Sequence, residues 1–205
     1  MIFTRYKNKF IFKNLGNVKD KDILELGCGQ GDLSYELVKK GARVDAIDIR
    51  KNIKKEYLIS SNLKFIQQDA TCINYENLFD AVISFDVIEH IKNDKILIEK
   101  SFKALKPGGI LIFGTPHKWR TYNLLKFLIG SRPSYPLVPR GGEDGNYNEV
   151  VHLREYTFKT YQELFGEINT KIFGYWIGFG VRFGLPILSS FPFLPYHDLF
   201  VIHKK

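Results

Sequence analysis

Residues 22–32 read DILELGCGQGD, and the rest of the chain is organised around this stretch. The apolar run at 23–26 predicts a short buried strand. It is followed by glycines at alternate positions, namely Gly27, Gly29 and Gly31. Glycine accepts backbone angles that other residues avoid, so this spacing predicts a tight turn. An amphipathic helix is predicted at 33–40, with Asp32 as its N-terminal cap. Strand, glycine turn and helix together predict a cradle for a small molecule.

The spacing of the glycines narrows the class of ligand. The dinucleotide-binding fingerprint is G-x-G-x-x-G, whereas this turn is G-x-G-x-G, with Asp32 at the place of the third glycine. Residues 25–31, ELGCGQG, resemble the first motif of the class I S-adenosylmethionine (SAM) dependent methyltransferases, E/D-x-G-x-G-x-G. From this motif alone, another nucleotide-binding Rossmann protein and a purely structural turn remain alternatives.

The composition is that of an ordinary globular protein. The chain has 205 residues, of which 44% are hydrophobic and 25% charged, which predicts one domain over residues 1–205. The first ten residues lack the apolar core of a signal peptide, and no run of about 20 apolar residues is present, so a cytoplasmic location is expected. The two cysteines, Cys28 and Cys72, form neither a disulfide framework nor a zinc motif.

The chain is basic, with 30 lysines and arginines against 22 acidic residues and a formal net charge of +8. Such a balance favours RNA, an anionic membrane surface or an acidic substrate as a partner. A lysine-rich background composition gives the same number. Charge alone therefore selects no partner.

Acidic residues follow the next two predicted strands. The strand predicted at 43–48 ends in Asp48, whose carboxylate is placed to accept hydrogen bonds from both hydroxyls of a ribose. Its alternative role is to cap a helix predicted at 51–60. A third strand is predicted at 62–67. The resemblance assigns contacts with the adenine to the two residues that follow it, Asp69 and Ala70.

The fourth motif is the most specific one. Residues 79–90 read F-D-x-V-x-x-x-D-V-x-E-H and resemble the fourth motif of small-molecule methyltransferases such as the ubiquinone-biosynthesis O-methyltransferases. They differ from the [DN]-P-P-[YFW] motif of many nucleic-acid amino methyltransferases. The sequence L-K-P-G-G at 105–109, before a strand predicted at 110–114, is a further hallmark of the family. The resemblance therefore covers residues 22–116 without a break.

The resemblance implies an α/β fold. The expected architecture is Rossmann-like, with a seven-stranded, mostly parallel sheet, helices on both faces and an antiparallel final strand. SAM is the expected cofactor and S-adenosylhomocysteine the product. The predicted cofactor-binding residues are Glu25, Gly27, Cys28, Gly29, Asp48, Ile49, Asp69, Ala70, Ser84 and Asp86.

A general base is needed only when the acceptor is a hydroxyl, because a phenol with a pKa of about 10 is mostly protonated at neutral pH. Asp86, Glu89 and His90 are spaced i, i+3 and i+4, so they would share one face if this segment were helical. The predicted catalytic residues are His90, Glu89 and His117, with His152 as a further candidate. A packing role is the alternative for His90.

No metal is predicted from the sequence. In the ubiquinone-biosynthesis O-methyltransferases the matching acidic and histidine positions are associated with a divalent cation. The D-x-x-E-H segment also occurs in methyltransferases without a metal, so the motif alone does not imply one.

Residues 117–156 are predicted to form an insertion on the acceptor side. Within it, an amphipathic helix is expected at 119–129 and a loop at 131–147. The apolar stripe of this helix is suited either to a lid that packs on the sheet or to a lipid interface. The aromatic stretch 173–195 is expected to help cover an apolar acceptor pocket. The last elements predicted are a helix at 158–165, capped by Thr157, and strands at 171–176 and 199–203.

The favoured function is transfer of a methyl group to a small molecule, at a hydroxyl on an apolar or lipid-linked acceptor, with peripheral membrane contact. No DNA partner is expected. An RNA methyltransferase is the second hypothesis, opposed by the missing N-P-P-type motif and by the lack of an appended RNA-binding module. A non-catalytic SAM-binding protein is the third.

Overall fold

The computed structural model describes residues 2–132, 135, 152–166, 169–176, 187–189 and 196–205. The chain divides into two compact units. The first comprises Met1–Phe85, Lys95–Phe113 and Ile202–Lys205. The second comprises Asp86–Asp94 and Gly114–Val201.

Helices and strands alternate through the first half of the chain. The α-helices are α1 (Ile2–Leu15), α2 (Asp32–Lys39), α3 (Asp94–Ala104), α4 (Thr121–Leu128) and α5 (Phe158–Phe165). The strands are β1 (Asp22–Leu26), β2 (Arg43–Asp48), β3 (Leu63–Gln67), β4 (Phe79–Phe85), β5 (Leu105–Pro116), β6 (Thr170–Trp176), β7 (Ile187–Ser189) and β8 (Asp198–Lys204). Short 3₁₀ turns occupy Lys55–Ile59, Ala70–Cys72 and Ile88–His90.

The strands form a sheet in the order β3-β2-β1-β4-β5-β8-β6-β7. Strand β1 pairs in parallel with β2 and β4, and β2 pairs in parallel with β3. Antiparallel pairing begins at β8, where the His117 amide donates to the His197 carbonyl and the Gly108 amide donates to the Lys205 carbonyl. The predicted Rossmann-like, mostly parallel sheet is confirmed. Strand β7 is an addition to the predicted set, and it pairs antiparallel with β6.

The core of the first unit comes from apolar runs that are buried on both faces, as is typical of parallel strands. In β1, Ile23, Leu24 and Leu26 are fully buried. Helix α1 buries Phe10 and Ile11, as its helical spacing predicts. This core fixes the carboxyl ends of β1 and β2, where the glycine turn begins.

The core of the second unit includes α5, which buries Phe158, Tyr161 and Phe165. Thr157 caps this helix through a reciprocal pair of hydrogen bonds with Thr160, in which each hydroxyl accepts from the other residue's amide. The predicted cap and the predicted bounds of the helix are therefore confirmed.

Two predictions around the glycine turn are wrong. The segment 51–60 forms only the 3₁₀ turn Lys55–Ile59, and the Lys54 amide donates to the Gln30 carbonyl at 3.1 Å. Asp32 does not cap α2, because Gly31 occupies the cap position. The Asp32 carboxylate instead accepts from Lys54 Nζ at 2.6 Å and from the Tyr57 hydroxyl at 2.7 Å. These bonds tie the segment after β2 to the start of α2.

Most of the loop predicted at 131–147, and much of the aromatic stretch 173–195, lie outside the described residues. Within the part of the chain that is described, no helix has the length and apolar character needed to cross a membrane.

Candidate functional site

The glycine turn of the first unit has the left-handed backbone that its sequence predicts. Gly27, Gly29 and Gly31 have φ angles of 78°, 53° and 81°. The amides of Gly27 and Cys28 donate to the Ile47 carbonyl at 2.7 and 3.0 Å, so the turn is anchored to the end of β2. Burial raises the pKa of the Cys28 thiol well above its usual range, which favours an inert, protonated side chain.

Asp48 organises this turn. Its Oδ2 accepts from the Gly29 amide at 2.8 Å, and its Oδ1 accepts from the Arg50 amide at 2.9 Å. A Cβ placed on Gly29 would have no described atom within 4 Å, so open space lies over the glycine. A carboxylate at the end of the second strand, next to bare backbone with room above it, fits the ribose of a nucleoside. The capping alternative for Asp48 fails, because the segment 51–60 contains only the 3₁₀ turn Lys55–Ile59.

Glu25 lies under the turn and is buried. Its carboxylate accepts a short hydrogen bond from the Ser34 hydroxyl on α2. Burial raises the pKa of Glu25 to about 8, although the Ser34 hydrogen bond acts in the opposite direction. Ser34 was not singled out from the sequence, since its partner lies nine residues away on another element.

The stability of the protein without cofactor should fall as the pH rises from about 5 to 8. Above its ordinary pKa of 4.5, Glu25 is ionised in the unfolded state but stays protonated in the folded state up to about 8. The unfolded state then binds fewer protons, which costs up to roughly 1.4 kcal/mol per pH unit. Denaturant unfolding at several pH values should show this slope in the wild type and in Glu36→Gln, whose side chain is 42% exposed on the same helix as Ser34. A slope unchanged in Glu25→Gln would contradict it.

Other predicted cofactor residues lie at neighbouring strand ends. The amide of Gln68, after β3, donates to the Asp48 carbonyl at 3.0 Å, which places the β3 end beside Asp48. Asp69 accepts from the Thr71 amide at 2.7 Å and from its hydroxyl at 2.8 Å. Ala70 is buried, while Ile49 is 65% exposed and offers an apolar surface. The adenine contacts assigned to Asp69 and Ala70 stay predictions.

Strand β4 ends in Ser84, whose hydroxyl donates to the Leu26 carbonyl at 3.1 Å. This buried bond joins the ends of β1 and β4, the two strands between which the strand order reverses. Ligands of open α/β sheets bind at such a reversal. Ser84 therefore supports the shape of the site, and its predicted cofactor contact stays a prediction.

Asp86 begins the second unit with a φ of 56°, in the left-handed region that few residues other than glycine adopt. Its amide donates to the Gly114 carbonyl at 3.0 Å. Only the 3₁₀ turn Ile88–His90 follows. The predicted helical face shared by Asp86, Glu89 and His90 is therefore wrong, because the left-handed residue stands outside any helix. The cofactor contact predicted for Asp86 stays a prediction.

Glu89 is fully buried in the second unit. Its Oε2 accepts from the Thr115 hydroxyl at 3.0 Å, and its Oε1 lies 3.9 Å from His90 Nε2. The His90 ring meets the His152 ring edge to face, with their centroids 4.8 Å apart. The carbonyl of Glu89 accepts from the Leu153 amide at 2.9 Å. Two of the predicted catalytic residues thus lie together with His152.

His152 is held by Glu155, a buried residue that the sequence analysis missed. The two are joined by a hydrogen bond of 2.9 Å between His152 Nδ1 and Glu155 Oε1. The same carboxylate accepts a short bond from Arg120, and bonds of 3.2 Å from Asn123 Nδ2 and 2.9 Å from the Tyr135 hydroxyl. These partners lie up to 35 residues from Glu155 in the sequence. A local sequence pattern therefore could not predict the network.

His117, the third predicted catalytic residue, is also buried in the second unit. Burial lowers the pKa of its ring to about 4, against the opposite effect of a hydrogen bond to the Tyr196 carbonyl. Among the described residues, its Nδ1 has no hydrogen-bond partner. The ring is therefore neutral at physiological pH, with its proton on Nε2 and a lone pair on Nδ1. Nδ1 of His117 can therefore accept a hydrogen bond from a hydroxyl group.

The helix predicted at 119–129 is α4, and its outer residues are strongly exposed. Leu128 is 71% and Ile129 82% exposed. Trp119 and Phe127 contact each other edge to face and line a surface pocket together with Lys118, Leu124 and Arg132. Exposed apolar side chains bordered by cations are typical of a binding surface. The lid and the lipid interface both stay predictions for this helix.

Residues 3–167 match the family described as "Methyltransferase domain". The chain is 30% identical over 152 residues to a ubiquinone biosynthesis O-methyltransferase of Coxiella burnetii, covering 68% of this chain and 61% of that protein. It is also 30% identical over 128 residues to the enzyme of that name from Idiomarina loihiensis, covering 59% of this chain and 51% of the relative. The chain thus spans little more than half the length of these relatives.

Among solved structures, the fold resembles the 1,6-didemethyltoxoflavin-N1-methyltransferase of Burkholderia thailandensis, crystallised with 1,6-didemethyltoxoflavin and S-adenosylhomocysteine. The TM-score is 0.66 and the sequence identity 15%, over 98% of this chain and 77% of that one. At this identity the likeness concerns the fold alone. It agrees with the strand order of the sheet.

Proposed function

Because the chain belongs to the methyltransferase domain family, we propose that it transfers the methyl group of SAM to a hydroxyl oxygen of an apolar or lipid-linked small molecule. The sulfonium of SAM supplies an already activated methyl group, so the protein contributes position and electrostatics. The observation that carries the cofactor assignment is the 2.8 Å bond between Asp48 and the Gly29 amide, next to open space over the glycine.

Several residues of the first unit fit SAM. The carboxylate of Asp48 keeps lone pairs for the ribose hydroxyls while it holds the turn. Glycines at 27 and 29 let the ligand approach the main chain, and exposed Ile49 offers an apolar surface to the adenine. Glu25 is a buried carboxyl beneath the turn. A nearby positive charge, such as a sulfonium or ammonium group, would lower its pKa.

The second unit supports an oxygen acceptor through His117. Its neutral ring offers Nδ1 as a hydrogen-bond acceptor, and a hydroxyl is the donor that would satisfy it. Because the pKa of His117 is about 4, this role persists across the whole neutral range. Glu89 and His90 are the other proposed catalytic residues, in the cluster that they form with His152.

An apolar acceptor is supported by the surface around α4. Leu125, Leu128 and Ile129 are exposed, and Lys118 and Arg132 border the pocket lined by Trp119 and Phe127. Such a surface suits a molecule with an apolar tail, whether free or presented by a membrane. The named curated relatives also act, by their names, in ubiquinone biosynthesis.

The deciding experiment is methyl transfer from radiolabelled SAM to polyprenylated phenols and catechols, to tail-free catechol and to total RNA. Transfer to the prenylated compounds, weaker transfer to catechol and none to RNA is expected. His117→Asn should lower kcat on these acceptors while leaving SAM affinity unchanged, and His203→Ala on β8 is the matched control. Labelling of RNA alone would replace the proposal with the RNA hypothesis. SAM binding without methyl transfer to any of these acceptors would favour a non-catalytic SAM-binding protein.

Peripheral membrane contact should depend on the exposed end of α4. We expect co-sedimentation with vesicles containing phosphatidylglycerol at low salt, weakened at high salt because surface charges are screened. The variant Leu128→Asp/Ile129→Asp should lose binding, and Lys126→Ala/Arg132→Ala should lose its salt-sensitive part. Ile59→Asp, at an 86% exposed position of the first unit, is the control. Arg120 is left unchanged, since it bonds Glu155. Equal sedimentation of all variants would refute this contact.

A further inference from the structure

We propose that Lys54 and Tyr57 are positioning residues for SAM, which keep the glycine turn in its binding shape through their bonds to Asp32. The inference rests on the proposed function, in which this turn binds the cofactor. The end of β2 holds the first half of the turn. A separate stretch, residues 53–57, holds the second half, and we call it the strap.

The strap packs directly on the backbone of the turn. The Gln30 carbonyl accepts a hydrogen bond from the Lys54 amide at 3.1 Å. Ile53 is buried, and its Cγ1 would lie only 2.7 Å from a Cβ on Gly31. Glycine at position 31 therefore lets the strap approach the main chain closely. One main-chain bond and one close packing contact thus fix the strap against the turn.

Three side chains add a latch to this contact. One oxygen of Asp32 accepts from Lys54 Nζ at 2.6 Å and from the Tyr57 hydroxyl at 2.7 Å. Lys54 Nζ also lies 3.2 Å from the Tyr57 oxygen, so the three groups are mutually bonded. The hydrogen bond from Lys54 lowers the pKa of Asp32, which keeps the carboxylate ionised. An isolated ion pair this exposed contributes little, but a bonded network contributes more.

Aromatic contacts join the strap to α2 without using Asp32. The rings of Tyr57 and Tyr35 are stacked, with centroids 4.2 Å apart and planes 10° apart. Lys39 Nζ lies 5.1 Å from the Tyr35 centroid, and Lys54 Nζ lies 5.1 Å from the Tyr57 centroid. Cations over ring faces favour such a stack. Tyr57→Phe therefore removes the hydroxyl bonds of the latch and keeps the stacked ring.

The latch is expected to act on the affinity for SAM and not on the chemical step. With the strap in place, the turn has its shape before SAM arrives, so binding does not have to order it. Without the latch, residues 30–32 would be ordered at each binding event, which weakens affinity. The proposed catalytic residues belong to the second unit, so the maximal rate of transfer should not change. A higher KM for SAM at unchanged kcat is the kinetic sign of such a role.

The test is calorimetric titration of the wild type and its variants with SAM. Lys54→Met should weaken SAM binding about three- to fivefold, and Tyr57→Phe about twofold. Lys54→Arg should restore wild-type affinity, because it keeps the charge beside Asp32. The difference between Lys54→Met and the wild type should narrow at high salt, which screens the exposed pair. Lys103→Met, which breaks an exposed ion pair with Glu76 in the same unit, is the matched control and should bind SAM normally.

Amide hydrogen exchange of the cofactor-free protein reports on the turn itself. Residues 27–32 should exchange faster in Lys54→Met than in the wild type or in Lys103→Met. Faster exchange throughout the first unit would mean a general loss of stability and would overturn the latch. Equal SAM affinity in Lys54→Met and the wild type, or no restoration by Lys54→Arg, would overturn it and leave the proposed methyl transfer standing. Absence of SAM binding by the wild type would overturn the proposed function together with the latch.

Discussion

Asp48→Ala should weaken SAM binding at least about tenfold, which corresponds to roughly 1.4 kcal/mol. The variant loses the proposed contact with the ribose. It also loses both bonds by which the carboxylate fixes the amides of Gly29 and Arg50, so the turn itself becomes less ordered. Isothermal calorimetry with SAM and with S-adenosylhomocysteine measures both affinities directly.

Asp45→Ala is the matched control for this prediction. Asp45 lies on the same strand and carries the same charge, but its carboxylate accepts from the Tyr75 hydroxyl at 3.3 Å, away from the turn. We expect its SAM affinity to equal that of the wild type. If Asp45→Ala and Asp48→Ala bind SAM equally well, the cradle has been assigned to the wrong strand end.

Gly174→Ala should produce the largest loss of folding stability, roughly 3 kcal/mol, because it overpacks a closed core. A Cβ at Gly174 would stand 2.2 Å from three ring atoms of Tyr196, whose side chain is fully buried. Because a contact of 2.2 Å is far below van der Waals distance, strand β6 or the ring must shift. For a chain of this length, the melting temperature should fall by about 10 °C. Thermal unfolding followed by circular dichroism measures it.

A second variant tests whether the clash is the cause. Gly174→Ala/Tyr196→Leu should be less destabilised than the sum of the two single variants, since the smaller side chain makes room for the new methyl group. Gly16→Ala is the control for backbone strain without a clash: its φ of 65° should cost about 1–2 kcal/mol in alanine, but no described atom lies within 4 Å of a Cβ there, so the loss should stay below that of Gly174→Ala. Strict additivity in the double variant would mean that Gly174 is needed for another reason.

The sequence predicted best where local patterns decide the structure. The bounds of β2 are as predicted, because the apolar residues Val44, Ala46 and Ile47 lie between a turn and a terminal acidic residue. The contact of Asp48 with the glycine turn also follows, since the carboxyl ends of adjacent parallel strands meet at one edge. The capping box of α5 is local by nature, and Thr157 forms it as expected.

Predictions failed where the conformation or the bonding partner of a residue depends on parts of the chain far away in the sequence. Asp32 has the sequence signature of a cap, but Lys54 and Tyr57, more than 20 residues away, bind its carboxylate. The spacing of Asp86, Glu89 and His90 is helical, yet the left-handed backbone at Asp86 excludes a helix there. Glu155 has partners from three separate parts of the chain, and only the folded structure brings them together.

The position of β8 bears on how the protein is made. This strand comes last among the eight strands of the described residues, yet it lies between β5 and β6 in the sheet. During synthesis on the ribosome, the outer edge of β5 therefore stays without its neighbour until residues 198–204 have left the exit tunnel. Open strand edges invite pairing with other chains. The edge of β5 is thus open to such pairing until β8 is in place.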